Sequence, residues 1–258
     1  MPEPGVQKPD PQQLEIIRPD WPAPDRVQAA STTRLGGVSG GVYQGLNLAS
    51  HVADDNLHVM QNRELLRQAL DLPGEPLWLN QIHSSRVIAA DDASVANLDL
   101  RGDAAWSEQS GKVCAVLTAD CLPLLLCDSA GSRVASVHAG WRGLHAGVIS
   151  SAIAAMSLPG EQIMAWLGPA IGPQAFEVGA DVFTAFTARH PDYAQAFQQT
   201  DAEHWLCDIY RLAGIELEQA GVSRIYGGGL CTWSDNHRFY SYRRDGVTGR
   251  MASLIWLA

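Results

Sequence analysis

Three short apolar runs in the middle of the chain most constrain what it can fold into. Val113–Leu117 leads into Cys121, Leu124–Leu126 follows, and Val134–Val137 leads into His138. Short apolar runs bounded by turn residues are typical of interior strands, with a buried helix as the alternative. Proteins of the α/β type place binding and catalytic residues at the ends of such elements. The pattern therefore predicts buried strands whose ends bring Cys121 and His138 side by side.

A third residue of this kind is His83, which comes shortly after the apolar stretch Leu77–Leu79. Our central hypothesis is that His83, Cys121 and His138 converge on one metal ion. Three protein ligands leave a fourth position open, which is the layout of a catalytic zinc site. Water in that position ionises near neutral pH and attacks electrophiles. The residues alone also allow a simpler interpretation, in which Cys121 is a small buried apolar side chain and the histidines are ordinary hydrogen-bonded residues.

Length and composition indicate one domain with a large core. The chain has 258 residues, of which 46% are apolar, and this suits a single large α/β or α+β unit. Predicted strands and helices alternate irregularly, which favours an α/β (mixed α+β) fold of mixed β-sheets flanked by helices. Residues 1–15 are rich in proline and poor in apolar residues, so we expect a flexible tail there. Residues 16–258 are expected to form the single catalytic domain.

Charge and cysteine usage narrow the classes of partner. The net charge of −10 argues against nucleic acid or an anionic membrane as the main partner. Only Lys8 and Lys112 are lysines, so cationic recognition falls to arginine, which suits phosphate or carboxylate. Five cysteines without a CxxC pair favour a reducing, cytoplasmic location over a disulfide framework. We expect neither a signal peptide nor a membrane helix.

Capping and stop signals predict several further elements. The glycine-rich loop Thr33–Gly41 lacks the spacing of a Walker or dinucleotide fingerprint and is predicted to be a plain loop. An aromatic strand is predicted just before Arg244, and Met251–Leu257 is predicted to be a buried strand. A helix is predicted from Asp54 or Asp55 to about Leu70, with Leu57, Met60, Leu65 and Leu66 among its apolar positions. Further helices are predicted from Leu144 to Met156, over Val182–Arg189, and from Asp208 to Ala220.

Several motifs follow one another in order from roughly Ile16 to Leu257. They are Thr32–Ser39, Leu46–Leu48, Asn80–His83, Leu117–Pro123, His138–Gly143, Trp166–Gly172, Cys231–Thr232 and Phe239–Arg244. In these motifs the sequence closely resembles the YfiH-like, or laccase-domain, family, whose members carry the names polyphenol oxidase and purine nucleoside phosphorylase. The resemblance implies a single α/β domain with zinc, or another metal such as copper, bound by His83, Cys121 and His138.

The same resemblance implies an enzyme that acts on purine nucleosides. Such an enzyme would cleave adenosine, inosine or methylthioadenosine with phosphate and would also deaminate adenosine, so the expected partners are a small nucleoside and phosphate. A multi-copper laccase is not supported, because its copper sites need more histidines than the eight present here. One Cys/His2 site can still bind copper, which outranks zinc in intrinsic affinity.

Phosphorolysis requires a bound phosphate, a polar grip on the ribose and help for the departing base. We predict that Arg34 and Arg244 bind phosphate, with Arg142 as a third candidate and a structural ion pair as its alternative role. Asn47 is predicted to hydrogen-bond the substrate or to orient a metal ligand. Asp120 is expected either to support the metal ligands or to cap a turn.

Two further enzyme classes and one non-enzymatic class stay open. Cys121 can act as a nucleophile with His138 as its base, in a hydrolase or amidase acting on peptide-like or cell-wall precursors. A copper-dependent polyphenol oxidase is the second alternative, and a non-enzymatic interaction module is the third. The sequence does not indicate an oligomeric state.

Overall fold

A computed structural model describes residues 13–92 and 99–258 of the chain, and in these ranges there are fourteen strands and six α-helices. The helices are α1 (Asn56–Ala69), α2 (Trp141–His145), α3 (Val148–Met156), α4 (Ala180–Arg189), α5 (Ile209–Gln219) and α6 (Tyr242–Asp245). The strands are β1 (Ile16–Ile17), β2 (Val27–Thr32), β3 (Leu77–Trp78), β4 (Val87–Ala89), β5 (Ala104–Ser107), β6 (Val113–Thr118), β7 (Leu122–Asp128), β8 (Val134–Ala139), β9 (Ile163–Leu167), β10 (Glu177–Gly179), β11 (Phe197–Gln199), β12 (His204–Cys207), β13 (Arg224–Gly227) and β14 (Met251–Leu257).

Two large mixed sheets form the centre of the fold. The first has the strand order β1-β2-β14-β6-β3, and the second has the order β13-β9-β7-β8-β5-β4. Antiparallel pairs join β14 to β2 and β6, and join β7 to β8 and β9. Parallel pairs occur at the sheet edges, between β3 and β6, β4 and β5, and β9 and β13. The expected mixed α/β domain with several sheets and helices is therefore confirmed.

The strand β7 shows why the central runs are apolar at every position. Leu124 and Leu126 pack with helices α3 and α5, whereas Leu125 and Cys127 pack against residues of the other sheet, such as Ile255. Successive side chains of a strand point to opposite faces, so a strand that is covered on both faces must be apolar throughout. Helix α1 covers the outer face of the first sheet through Leu66. The result is a layered core in which two sheets lie between helices.

Most of the predicted elements are present, with three corrections. The predicted helix from Leu144 to Met156 is two helices, because Gly147 adopts a left-handed conformation with φ of +82° between α2 and α3. In α1 the predicted apolar position Leu66 is buried, but Leu57 and Met60 are exposed, and the helix also buries Val59 and Asn62. The predicted aromatic strand before Arg244 is absent, since Ser241 begins the short helix α6 there.

The structure describes only residues 13–15 of the predicted N-terminal tail. Residues 1–12 of the predicted tail are outside the described residues. Glu15 already contacts the domain, since its carbonyl oxygen accepts the Thr33 N–H at 3.2 Å and its carboxylate lies 3.0 Å from Arg238. In the ranges that the structure covers, no helix is both long enough and apolar enough to span a membrane.

Candidate active site

The three predicted ligands meet at one edge of the second sheet. Cys121 lies in the turn between β6 and β7, and His138 lies near the end of β8, opposite Pro123 in the register of the β7–β8 pair. His83 reaches the same place from the loop between β3 and β4. Their ligand atoms all lie within 4.8 Å of one another, and His83 Nε2 is 3.9 Å from Cys121 Sγ. Sequence-distant residues thus form a compact Cys/His2 donor set.

A buried carboxylate that the sequence did not single out orients this set. Asp103 is fully buried, and its Oδ1 atom accepts a hydrogen bond from Nδ1 of His138 at 2.8 Å. An ionised carboxylate only accepts hydrogen bonds, so the His138 proton is on Nδ1, and Nε2 is the atom left to bind a metal. Such a carboxylate–histidine contact is the usual support of a metal-binding histidine.

Asp103 also fixes the loop that carries His83. Its carboxylate accepts the backbone N–H groups of Ile82, His83 and Ser84 and the hydroxyl of Ser84. His83 itself has a φ of +58°, a left-handed conformation that a residue with a side chain adopts at an energetic cost. The ring of fixed donors around Asp103 offsets that cost. One carboxylate therefore positions two of the three ligands.

The electrostatics of the set favour an ionised thiol. Burial alone opposes ionisation of Cys121, but His138 and His83 outweigh it, and the pKa of the thiol falls to about 6. Burial likewise disfavours the charged form of His138, but Cys121 and Asp103 outweigh it, and the pKa of the imidazole rises to about 9. Burial without such neighbours has the opposite effect on Cys127, where it raises the pKa of the thiol to about 12. Of these two cysteines, Cys121 is the one whose thiolate is stabilised.

This donor chemistry fits a bound metal ion. A thiolate and two imidazoles are ligands that zinc and copper share, and three of them leave an open position. All eight histidines and all five cysteines lie in the described ranges, and only one group of three potential ligands is found there. Within those ranges the arrangement matches a one-metal centre and not a four-copper laccase.

Gly140 allows the ligands to approach one another. A Cβ atom on Gly140 would lie 2.9 Å from Cys121 Sγ and 3.1 Å from Cδ2 of His83. The backbone of Gly140 is in an ordinary extended conformation with φ of −68°, so space and not strain requires glycine here. The Gly140-Trp141 step that follows β8 is thus part of the site.

The donor set opens into a cleft of about 540 Å³. Aromatic side chains that line it include Trp141, Phe176 and Tyr242, whose ring faces suit a planar base. Polar and charged side chains line it as well, namely His51, Gln81, Asp120, Arg142, Arg243 and Arg250. A cleft of this size with a few convergent polar groups is suited to a small organic ligand.

Three arginines give the cleft a cationic wall. In the ranges 13–92 and 99–258, neither Arg142, Arg243 nor Arg250 forms a salt bridge with a carboxylate. Burial lowers the pKa of Arg250, which indicates that its charge is poorly solvated. Arginines without carboxylate partners in a cleft of an acidic protein form a local site for an anion.

Two of the predicted phosphate ligands do not line this cleft. The guanidinium of Arg34 donates to the carbonyl oxygens of Asn236 and Gln44 and lies over the ring of Tyr240. Arg244 donates to three backbone carbonyl groups and forms an ion pair with Asp245 at 2.7 Å. Both arginines fasten loops together, and of the three candidates Arg142 is the one that lines the cleft.

Asn47 does not line the cleft either. It is fully buried, and its amide donates to Asp54 at 2.9 Å while its oxygen accepts the N–H groups of Ala49 and Arg250. Its structural role is to hold the backbone of Arg250, a cleft residue. Asp120 does not contact a metal ligand through its side chain, and it caps α6 by accepting the Arg243 N–H.

The sequence reasoning missed Asp103, His51 and Arg250 and did not select Arg243. The signal for Asp103 was weak, a carboxylate directly after Gly102 and before the buried strand β5. Arg250 directly precedes the buried strand β14, in the same kind of position at an element end that drew attention to His138. That criterion, applied to arginine as well as to cysteine and histidine, would have found it.

Comparisons with known proteins identify relatives that match most of this chain. The family described as multi-copper polyphenol oxidoreductase laccase matches residues 28–258. A Pseudomonas aeruginosa protein named purine nucleoside phosphorylase is 50% identical over 242 residues, covering 93% of this chain and 98% of the relative. The Escherichia coli protein named purine nucleoside phosphorylase YfiH is 49% identical over 243 residues, covering 94% and 99%.

Solved structures show the same fold. A crystal structure of a Neisseria meningitidis protein has a TM-score of 0.89 at 50% identity, covering 94% of this chain and 98% of that chain. The crystal structure of YlmD from Geobacillus stearothermophilus has a TM-score of 0.87 at 29% identity, covering 96% and 99%. Fold similarity thus extends to relatives of much lower sequence identity.

Proposed function

This chain belongs to the multi-copper polyphenol oxidoreductase laccase family, and we propose that it is a purine nucleoside phosphorylase whose active site is the cleft at His83, Cys121 and His138. The observation that carries the proposal is the cationic wall of three arginines beside the Cys/His2 donor set, none of which has a carboxylate partner among the described residues. Relatives that are 42–50% identical carry the name purine nucleoside phosphorylase, which supports the same reaction.

In the proposed reaction, phosphate attacks the anomeric carbon of the ribose and the purine base departs. Arg142, Arg243 and Arg250 bind the phosphate, since the planar guanidinium suits bidentate contact with its oxygens. Trp141 and Phe176 pack against the base and hold it. Positioning of a charged nucleophile against the sugar carbon supplies much of the rate enhancement in such a reaction.

His83, Cys121 and His138 would hold the metal ion, with Asp103 orienting the ring of His138. The chemistry that zinc or copper supplies when bound is Lewis-acid polarisation of a substrate atom and a lowered pKa for water. His51 is a cleft histidine outside this set, and burial together with Arg250 and Arg63 lowers its pKa. Its imidazole is therefore neutral near pH 7, the form that accepts a proton.

The finer activities are part of the proposal. We expect adenosine, inosine and methylthioadenosine to be cleaved with phosphate, and adenosine also to be deaminated when water attacks the carbon that bears the amine. Nucleoside and phosphate are the proposed partners.

A nucleoside panel with and without phosphate tests the function. Free purine base should appear from the wild-type protein only when phosphate is present, and Cys121→Ala should abolish it. The matched control is Cys231→Ala, which removes a partly exposed cysteine that does not line the cleft and should leave base release unchanged. Base release that is independent of phosphate would contradict the proposal.

The phosphate site has its own test. Arg243→Ala and Arg250→Ala should each raise the KM for phosphate about tenfold or more, the effect of a lost hydrogen bond to a charged group. Arg34→Ala is the control, since Arg34 does not line the cleft. If Arg34→Ala raises the KM for phosphate and Arg243→Ala does not, the assignment of the anion site is wrong.

A cysteine-type hydrolase or amidase is the second candidate, and one observation favours it. The site resembles a catalytic triad, with Cys121 as the nucleophile, His138 as the base and Asp103 as the carboxylate that orients the base. Metal analysis separates the two candidates. Stoichiometric metal that is lost in both His83→Ala and Cys121→Ala supports the metal site, whereas metal-free active protein that is inactivated by thiol alkylation supports the hydrolase. Quantifying zinc and copper in the same samples tests a copper-dependent oxidase.

A further inference from the structure

Asp120 has an unusual backbone conformation directly beside a proposed metal ligand. Its φ is +91°, and only 8% of the residue is exposed. A residue with a side chain adopts such a conformation only where its surroundings hold it there. The turn at Asp120 is the one that carries Cys121 into the site.

The contacts of Asp120 join separate segments of the chain to this turn. Its Oδ1 atom accepts the hydroxyl of Thr232 at 2.6 Å, and its Oδ2 atom accepts the backbone N–H of Arg243 at 2.6 Å. Its carbonyl oxygen accepts the N–H of Ile171 at 2.9 Å. Both carboxylate oxygens are thus occupied by groups from a distant part of the chain.

Helix capping alone does not explain these contacts. Helix α6 has its own N-cap, because the hydroxyl of Ser241 accepts the N–H of Arg244. The additional bond from Arg243 fastens α6, which has only four residues, to the turn beside Cys121. Beyond that bond, the Arg243 side chain is held by the Glu177 carbonyl oxygen and by the ring of Phe176. Asp120 therefore directly links Arg243, one of the arginines of the cationic wall, to the turn that carries Cys121.

We propose that Asp120 is a positioning residue that fixes the Arg243 guanidinium relative to Cys121, so that phosphate is held at the correct distance from the sugar carbon. This inference rests on the proposed phosphorolysis and adds a residue that determines how phosphate is bound. It assigns Asp120 no contact with substrate. Its effect passes through the backbone of Arg243.

Two substitutions at Asp120 separate its hydrogen bonds from its charge and its backbone strain. Asp120→Gly keeps the left-handed backbone and loses both side-chain bonds, and it should raise the KM for phosphate roughly tenfold to a hundredfold. The KM for the nucleoside and the bound metal per chain should stay at wild-type values. Asp120→Asn can accept from Arg243 and donate to Thr232, and asparagine tolerates this φ, so its KM for phosphate should be close to that of the wild type.

A double-mutant cycle tests whether the effect passes through Arg243. In the Arg243→Ala background, Asp120→Gly should have no further effect on the KM for phosphate. An additive effect, or a parallel loss of metal, nucleoside binding and thermal stability, would overturn the inference. Thr232→Val removes the other Asp120 partner and retains the side-chain shape, so it should raise the KM for phosphate less than Asp120→Gly does, and an unchanged KM in both variants would also overturn it.

Binding of inorganic phosphate, measured by calorimetry without turnover, separates this inference from the proposed function. If the wild-type protein binds phosphate more tightly than Asp120→Gly but does not cleave nucleosides, the positioning role stands and the phosphorylase proposal fails. If the wild-type protein cleaves nucleosides with phosphate and Asp120→Gly binds phosphate equally well, the positioning role fails alone. A wild-type protein that does not bind phosphate overturns both.

Discussion

Two buried carboxylates in this molecule have pKa values shifted in opposite directions. Asp103, beside the Cys/His2 set, accepts five hydrogen bonds, and although burial alone would raise its pKa, His138 and Ser84 outweigh burial and lower it to about 2. Glu216 on α5 is also buried, but its Oε1 atom accepts hydrogen bonds from Arg189 and Tyr193, while its Oε2 atom has no hydrogen-bond partner within residues 13–92 and 99–258. Burial raises the pKa of Glu216 despite these two partners.

The difference lies in the number of fixed donors. Backbone N–H groups from one loop are already directed at Asp103, so its charge is stabilised without further ordering of the chain. Glu216 relies on a half-buried arginine and a tyrosine, which only partly replace its lost hydration. The charge at Asp103 is thus part of a prearranged site, whereas the charge at Glu216 is tolerated within the helical layer.

The largest effect is expected for Asp103→Asn. The asparagine amide would direct its own N–H groups at the backbone donors of residues 82–84, leaving some of them without an acceptor. We expect metal affinity to fall about 10- to 100-fold and stability to fall by about 2–4 kcal/mol. Metal titration and urea unfolding measure these two quantities. Wild-type metal affinity in this variant would mean that Asp103 does not position the ligands.

The same variant predicts a pH dependence for the metal-free protein. The pKa of Asp103 is about 2 in the folded chain against a reference value of 3.8, so the unfolded state binds its proton first as pH falls. The stability that Asp103 contributes is therefore complete above pH 3.8 and is lost as pH falls toward 2. The difference in unfolding free energy between wild type and Asp103→Asn should shrink over that range.

Ser84→Ala removes one of the five donors to Asp103 and so measures what a single donor contributes. We expect a loss of about 1.5–2 kcal/mol, the value of a hydrogen bond to a charged group, and a smaller loss of metal affinity than in Asp103→Asn. The backbone N–H of residue 84 still donates. Urea unfolding and metal titration measure these two quantities. A loss as large as that of Asp103→Asn would mean that the stabilisation of Asp103 is not distributed over its five donors.

Tyr193→Phe removes a donor from Glu216 and should act only on stability. We expect a loss of about 1 kcal/mol near neutral pH with unchanged metal content. The pKa of Glu216 should rise further, so the loss should be greater at pH 8 than at pH 5, as thermal unfolding at the two pH values will show. A change in metal content would contradict the separation of the two regions.

Glu216→Gln is expected to have the smallest effect. Its amide oxygen can still accept from Arg189 and Tyr193, and the cost of burying a charge is removed, so stability should change by less than about 1 kcal/mol. A carboxylate with a raised pKa in the folded state loses stability as pH rises from the reference value of 4.5 through the folded value. The wild-type protein should show this decline in a series of melting temperatures, and Glu216→Gln should lack it. An equal decline in both proteins would assign it to other groups.

The parts of the fold predicted from sequence are those that burial determines. Strands β6, β7, β8 and β14 were predicted because both faces of each strand are covered, which gives continuous apolar runs. Strands β10, β11 and β12 were missed because each has only three or four residues, too few to show a clear apolar repeat. Gly147 divides a predicted helix because glycine adopts the left-handed conformation readily, and the apolar repeat does not reveal that break.

Only some residues of the candidate site could be predicted from the sequence. Cysteine and histidine at strand ends identified the donor set, since strand direction fixes where such ends lie. The directions in which the side chains of Arg243 and Arg244 point could not be predicted. The two residues are neighbours on α6, but Arg243 lines the cleft and Arg244 fastens a loop. Adjacent helical residues point about 100° apart, and sequence does not say which of them faces the site. Asp103 acts through contacts that exist only after the chain has folded.

Following the consumption of inorganic phosphate is the most direct test of phosphorolysis at the Cys/His2 site. Phosphorus NMR of the purified protein with inosine and inorganic phosphate follows the inorganic signal as it is consumed. If the reaction is phosphorolysis at this site, a sugar 1-phosphate signal should grow and match the amount of free base released. This signal should be absent in Cys121→Ala. Free base that accumulates while the inorganic phosphate signal stays constant, or a sugar phosphate that still forms in Cys121→Ala, would contradict phosphorolysis at this site.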